Sequence, residues 1–139
     1  MANKQSKNEI SAFDSLYHYS KTKKISAEMY FTFLELYWPT FILHKDYVFL
    51  EEQFSEAEFK RLSVQNEKIE YWMNFLLVTP FFEEEDEWEE KAQFLSKELV
   101  DIWQAKLDKE FPDLNIFVTY LEDTEVGDYG LTFYQKKYK

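Results

Sequence analysis

The chain has no cysteine, two glycines and three prolines in 139 residues. Without cysteine there are no disulfides, thiolate metal sites or cysteine nucleophile. A cysteine-free chain also suits a reducing cytoplasm, the expected location. The two glycines fall together in Gly127-Asp128-Tyr129-Gly130, between two predicted strands. A phosphate-cradling loop needs a strand-to-helix setting, so this pair reads as a turn. Long apolar runs are missing as well: the longest charge-free aromatic stretch, Tyr71 to Phe82, is broken by Asn74 and Pro80. A spanning helix needs roughly 20 apolar residues, so no membrane segment is expected and the protein reads as soluble. The first residues, Met1 to Glu9, carry lysines with no apolar stretch behind them and do not read as a secretory signal. Basic residues are scarce, 16 against 27 acids, for a net charge of -11. Such a chain repels phosphate backbones and anionic lipid, so neither nucleic acid nor membrane is an expected partner.

What the chain has in abundance is aromatic rings: 14 Phe, 10 Tyr and 4 Trp. Rings bury large apolar areas, which argues for a folded core and against disorder. The length suits one domain. Residues 1–8 read as a flexible basic tail and residues 9–139 as a single α+β domain. Charge is uneven along the chain: residues 1–24 hold five lysines and two acids, residues 136–139 three more lysines, and residues 25–135 eight bases against 25 acids. The acidity therefore belongs to the body.

Ile10, Phe13, Leu16 and Tyr17 have helical spacing, predicting a short amphipathic helix over 9–20. Ser26 is placed to cap a second helix, with Glu28 in its first turn and Trp38-Pro39 ending it. Its polar stripe is only Glu28, Thr32 and Glu35, so it is expected to be buried nearly all round. Residues 40–50 read as two short strands about a turn at His44-Lys45-Asp46, and are a candidate extra strand for a C-terminal sheet. Ser55-Glu56-Ala57-Glu58 is a capping box, with Phe54 and Phe59 placed as a hydrophobic staple. Asn66 is expected to cap a further helix bearing Ile69, Trp72, Met73 and Leu76, closed by Pro80. The longest helix is expected from about Glu84 to Glu110, with Trp88, Ala92, Leu95, Leu99, Ile102 and Trp103 facing the core. Leu114 to Leu121 and Leu131 to Gln135 then alternate as two strands of an antiparallel hairpin about an acidic loop over 122–129. Strands and helices are segregated, so the expected class is α+β, helical in its first two-thirds with the hairpin at its C-terminal end.

No catalytic, cofactor or metal site emerges. The run Glu83 to Glu90 reads as a helix start, which would splay its carboxylates around the axis, and it lacks the glycine of a calcium loop. His18 and His44 have no motif partner at helical spacing. Many carboxylates guarantee some pair at a distance suited to acid–base work, which is why none stands out. Phe31, Tyr37, Phe94 and Tyr138 fall off the apolar stripes, and rings on an acidic surface are favoured at the centres of protein interfaces. The leading expectation is a non-catalytic, inhibitor- or immunity-like domain meeting a basic protein through Phe81, Phe82, Glu84, Glu85, Glu87 and Glu89. One alternative is a small-ligand binder or enzyme using a carboxylate or histidine in an aromatic pocket. Another is a structural or homo-oligomeric protein.

Overall fold

A computed structural model describes residues 11–65, 68–124 and 126–136. The expected tail at 1–8, the Asn66 cap and Tyr138 lie outside them. The fold is α+β, with five α-helices and two antiparallel sheets among the described residues. The chain divides into two compact units, one ending at Leu36 and one beginning at Tyr37.

The first unit is a helix pair. Helix α1 (Ala12–Lys21) is capped by the Ser11 hydroxyl, which accepts from the Asp14 amide at 3.0 Å. Helix α2 (Ala27–Tyr37) is capped by Ser26, which accepts from the Met29 amide at 3.2 Å. The Tyr30 hydroxyl joins the helices by donating to the Leu16 carbonyl at 3.1 Å and pairing with the Ser20 hydroxyl. The expectation that α2 is enclosed is wrong: none of its residues is buried. Only its Tyr30 side faces α1, and the rings on its other sides stay exposed.

The second unit opens with a hairpin, β1 (Phe41–His44) and β2 (Tyr47–Leu50), paired Phe41 to Leu50 through His44 to Tyr47. Lys45 and Asp46 both take positive φ, 51° and 73°, which gives a two-residue turn the twist its strands need. Helix α3 (Glu56–Gln65) starts where the capping signal places it, the Ser55 hydroxyl accepting from the Glu58 amide at 3.2 Å. Such a cap contributes about 1 kcal/mol. The reciprocal half of the box is absent, because the Glu58 carboxylate turns forward to Arg61. Phe54 and Phe59 pack 6.4 Å apart and join Phe49, Leu62 and Met73 in one part of the core.

Helix α4 (Ile69–Met73) is one short element, and Leu76, expected on it, lies in strand β3 (Leu76–Leu77). Pro80 sits inside a 3-10 turn over Thr79–Phe81. Helix α5 (Trp88–Glu110) begins four residues later than expected, because Glu87 takes a left-handed conformation at its cap. The acidic run through Glu87 is therefore a series of turns and not a helix start. The buried stripe of α5 is Ala92, Ser96, Leu99, Trp103 and Leu107, with Trp88, Leu95 and Ile102 only half-buried on its flanks.

Strands β4 (Ile116–Asp123) and β5 (Asp128–Gln135) form the expected C-terminal hairpin, with a shorter loop than predicted. The third strand of this sheet is β3, in the order β3-β5-β4, and not a strand from 40–50. Gly130 lies within β5 rather than in the turn, opposite Leu77. The β1–β2 hairpin stays a separate sheet because side chains stand between it and β5. From α4, the Glu70 carboxylate accepts from the Val48 amide of β2 at 3.1 Å and the Gln135 amide of β5 at 2.9 Å. Asn74 accepts from the Leu50 amide at 2.9 Å and donates to the carbonyls of Val48 and Phe133 at 2.9 and 3.3 Å. Glu70 and Asn74, one helical turn apart and both buried, splice the two sheets through side chains.

Candidate functional site

The expected protein-binding residues lie on one continuous segment between β3 and the first turn of α5. The 3-10 turn is pinned to the C-terminal hairpin: the Tyr129 amide donates to the Thr79 hydroxyl at 2.8 Å, and that hydroxyl donates to the Gly127 carbonyl at 3.2 Å. The Val78 amide donates to the Tyr129 carbonyl at 2.8 Å. Successive turns then carry the chain through Phe82 and Glu85, whose amide donates to the Phe82 carbonyl at 2.9 Å. At the far end the Trp88 ring lies over Gly127, where a Cβ would meet it at 3.0 Å, and sits 6.4 Å from the Tyr129 ring. The segment is thus held at both ends against the same hairpin turn.

Between those anchors Phe81 is 49% exposed, and Glu83, Glu84, Glu85, Asp86 and Glu87 are all exposed. Phe82 is half-buried, so the two phenylalanines differ in what they present. Glu85 pairs with Lys91 at 2.9 Å. That hydrogen bond holds the Lys91 ammonium above the usual lysine range against opposing desolvation, with the charges of Glu85, Glu87 and Asp86 adding to it. Glu89 accepts from the Tyr129 hydroxyl at 3.2 Å, which assigns it to the scaffold as much as to the surface. Burial, together with the Glu89 charge, pushes the Tyr129 phenol up despite an opposing hydrogen bond with Gln93.

A second surface was not singled out from the sequence. Trp72, Tyr71, Tyr134 and Phe117 form a chain of rings at spacings of 5.0, 6.1 and 6.2 Å. Trp72 and Phe117 are exposed, and Lys68 and Lys136 lie over the rings of Tyr71 and Phe117 at 5.9 and 4.3 Å. The signal was there in part, since Phe117 and Tyr134 are direct cross-strand partners on the face away from Val118 and Phe133. The contribution of α4 to the row follows from tertiary packing alone.

A shallow, open groove of about 250 Å³ lies beside α3 and α4, lined by Gln53, Glu58, Arg61, Leu62, Trp72 and Met73. Its carboxylate, Glu58, is engaged by the Arg61 guanidinium at 2.8 and 3.0 Å. His44 packs 4.9 and 4.8 Å from the rings of Phe54 and Phe59, with Nε2 3.4 Å from a Glu56 oxygen. That separation suits an ion pair if the ring is protonated, but its geometry is not that of a hydrogen bond. His18 is exposed on α1. Among the described residues, no group of three or more histidines and carboxylates is gathered to hold a metal ion. No helix among them is long and apolar enough to cross a membrane. Of the rings off the apolar stripes, Phe31, Tyr37 and Phe94 are exposed. Compared with protein-family models, curated proteins and solved structures, the chain matches none.

Proposed function

We propose that this chain is a non-catalytic protein-binding domain of the cytoplasm whose acidic segment, residues 81–90, meets a basic protein, as inhibitor- or immunity-like proteins do. The observation that carries the reading is the pairing of exposed carboxylates with an exposed ring on a segment pinned at both ends. A pinned segment loses little conformational freedom on binding, so more of its contact energy is left for affinity. The carboxylates attract a basic surface at long range, and Phe81 supplies a desolvated contact at short range.

The alternative of a ligand binder or enzyme has less to support it. The groove beside α3 and α4 is open, and its acid is already engaged by Arg61. Affinity capture from the native host tests the proposal. With the wild-type chain as bait, basic proteins are expected among the specific partners. With Glu84, Glu85, Glu87 and Glu89 all changed to Gln, they are expected to disappear. Partners recovered equally by both baits would overturn the assignment of this segment.

A further inference from the structure

Strand β4 lies at the edge of its sheet: β5 pairs with one side of it, and among the described residues no strand pairs with the other. Its residues 116–121 read Ile-Phe-Val-Thr-Tyr-Leu, with no charge, proline or glycine. On an open edge, a segment of this kind is a template for pairing with a copy of itself. The edge is not left open. The Gln104 side chain of α5 lies along it, with Oε1 accepting from the Val118 amide at 2.9 Å and Nε2 donating to the Ile116 carbonyl at 2.8 Å. A residue of a parallel strand would make the same two bonds, to the carbonyl before Phe117 and to the amide after it. The carboxamide takes the place of one strand residue.

Helix register puts it there. Trp103 is buried 6.2 Å from the Phe133 ring on the central strand β5, and Gln104, the next residue, reaches β4 beside it. Asp108, one turn further along α5, accepts from Gln104 Nε2 at 3.0 Å. A carboxylate only accepts, so this bond fixes which end of the carboxamide is the nitrogen. Asn74 treats β2 in the same way, lying between the Val48 carbonyl and the Leu50 amide, but its nitrogen also reaches the Phe133 carbonyl and joins two sheets. At Gln104 the second N–H turns back to its own helix instead. The same chemistry bridges in one place and closes in the other. Beyond Val118 the edge is flanked by charge: Lys97 lies 5.1 Å from the Tyr120 ring, and Glu122 accepts from the Tyr120 hydroxyl at 2.7 Å. Charged side chains are the usual protection of such an edge.

We infer that Gln104 is an edge guard, whose carboxamide closes β4 against pairing with the β4 of a second copy. Antiparallel pairing is the arrangement it prevents, because that sets Glu122 of each copy opposite the uncharged Ile116 end of the other and keeps the acids apart. This is independent of the proposed binding function, which uses other residues. Sedimentation velocity on the full chain over a concentration series, with amide exchange followed by NMR, tests it. Gln104→Ala, checked as folded by near-UV circular dichroism, is expected to sediment as a larger species than the wild type at equal concentration. The difference is expected to grow at high salt, which screens the net charge of -11. Residues 116–122 are expected to gain exchange protection as that variant associates. At dilutions where it does not associate, its Val118 amide is expected to exchange roughly five-fold faster than in the wild type, the loss of one hydrogen bond. The wild type alone gives a reading that holds even if the variant fails to fold. Its Val118 amide is expected to exchange more slowly than that of Tyr120, which lies about 7 Å further along the same edge, past the carboxamide. Equal rates overturn the inference. So does a folded Gln104→Ala that sediments like the wild type, or one that associates without protection at 116–122.

Discussion

Gly130 meets a constraint that no side chain at its position would satisfy. A Cβ there would sit well inside contact with the Leu76 carbonyl oxygen and 3.2 Å from the Leu76 carbonyl carbon and the Leu77 Cα. These are backbone atoms of the paired strand and cannot move aside without parting β3 from β5. Gly130→Ala is expected to destabilise the fold by about 3 kcal/mol, the upper part of the range for overpacking. An unchanged urea midpoint would mean that β3 does not pair there. Lys91 gives a second test at this scale. Its proton affinity is raised in the folded chain, so its pairing contributes below the lysine value of the unfolded chain and is lost as pH rises through the folded one. In a side-chain NMR titration, the Lys91 midpoint is expected above the ordinary lysine range in the wild type. It should fall in Glu85→Gln, and equal midpoints would mean that the pair does not form in solution.

Among the elements, the Ser55 cap, the Lys45-Asp46 turn and the C-terminal hairpin were legible because each rests on residues close in sequence. The Ser55 hydroxyl needs only the amide three residues on, and β4 and β5 show their alternation directly. What was not legible depends on distant partners. Strand β3 is two residues long and exists because Gly130 lets it approach. The start of α5 moved to Trp88 because Glu87 turns left-handed where the segment folds back on the hairpin, and helix propensity alone would begin it sooner. The splice by Glu70 and Asn74 reads in sequence as two polar residues on a helix, with nothing to mark them as buried. Asn74→Ala leaves the Leu50 amide and the Val48 carbonyl buried without their partner. Each such group costs about 1–3 kcal/mol, so a loss of about 3 kcal/mol is expected in urea melts. Ser96→Ala is the control: its hydroxyl is buried with no hydrogen-bond partner among the described residues, and its removal is expected to cost nothing or to stabilise. If the two variants melt alike, the side-chain splice is not what joins the sheets.

Across the whole molecule, charge is spread unevenly along the chain. Residues 25–135 carry 25 acids and eight bases, with the densest run on the pinned segment. Composition and charge made an acidic segment at 83–90 visible from the sequence. Its pinned turns, and the difference between exposed Phe81 and half-buried Phe82, came only with the packing of Thr79, Trp88 and Gly127. At physiological ionic strength the screening length is about 8 Å, so exposed carboxylates steer encounter more than they hold a complex together. The Gln changes keep an acceptor at position 89 for the Tyr129 hydroxyl, so they remove charge while sparing the scaffold. The most direct test is surface plasmon resonance with a captured basic partner across a salt series. Association is predicted to slow with rising salt and in the Glu84, Glu85, Glu87, Glu89→Gln variant, while Phe81→Ala mainly speeds dissociation. An association rate indifferent to both salt and the four changes would contradict the account and leave the acidity as a feature of solubility alone.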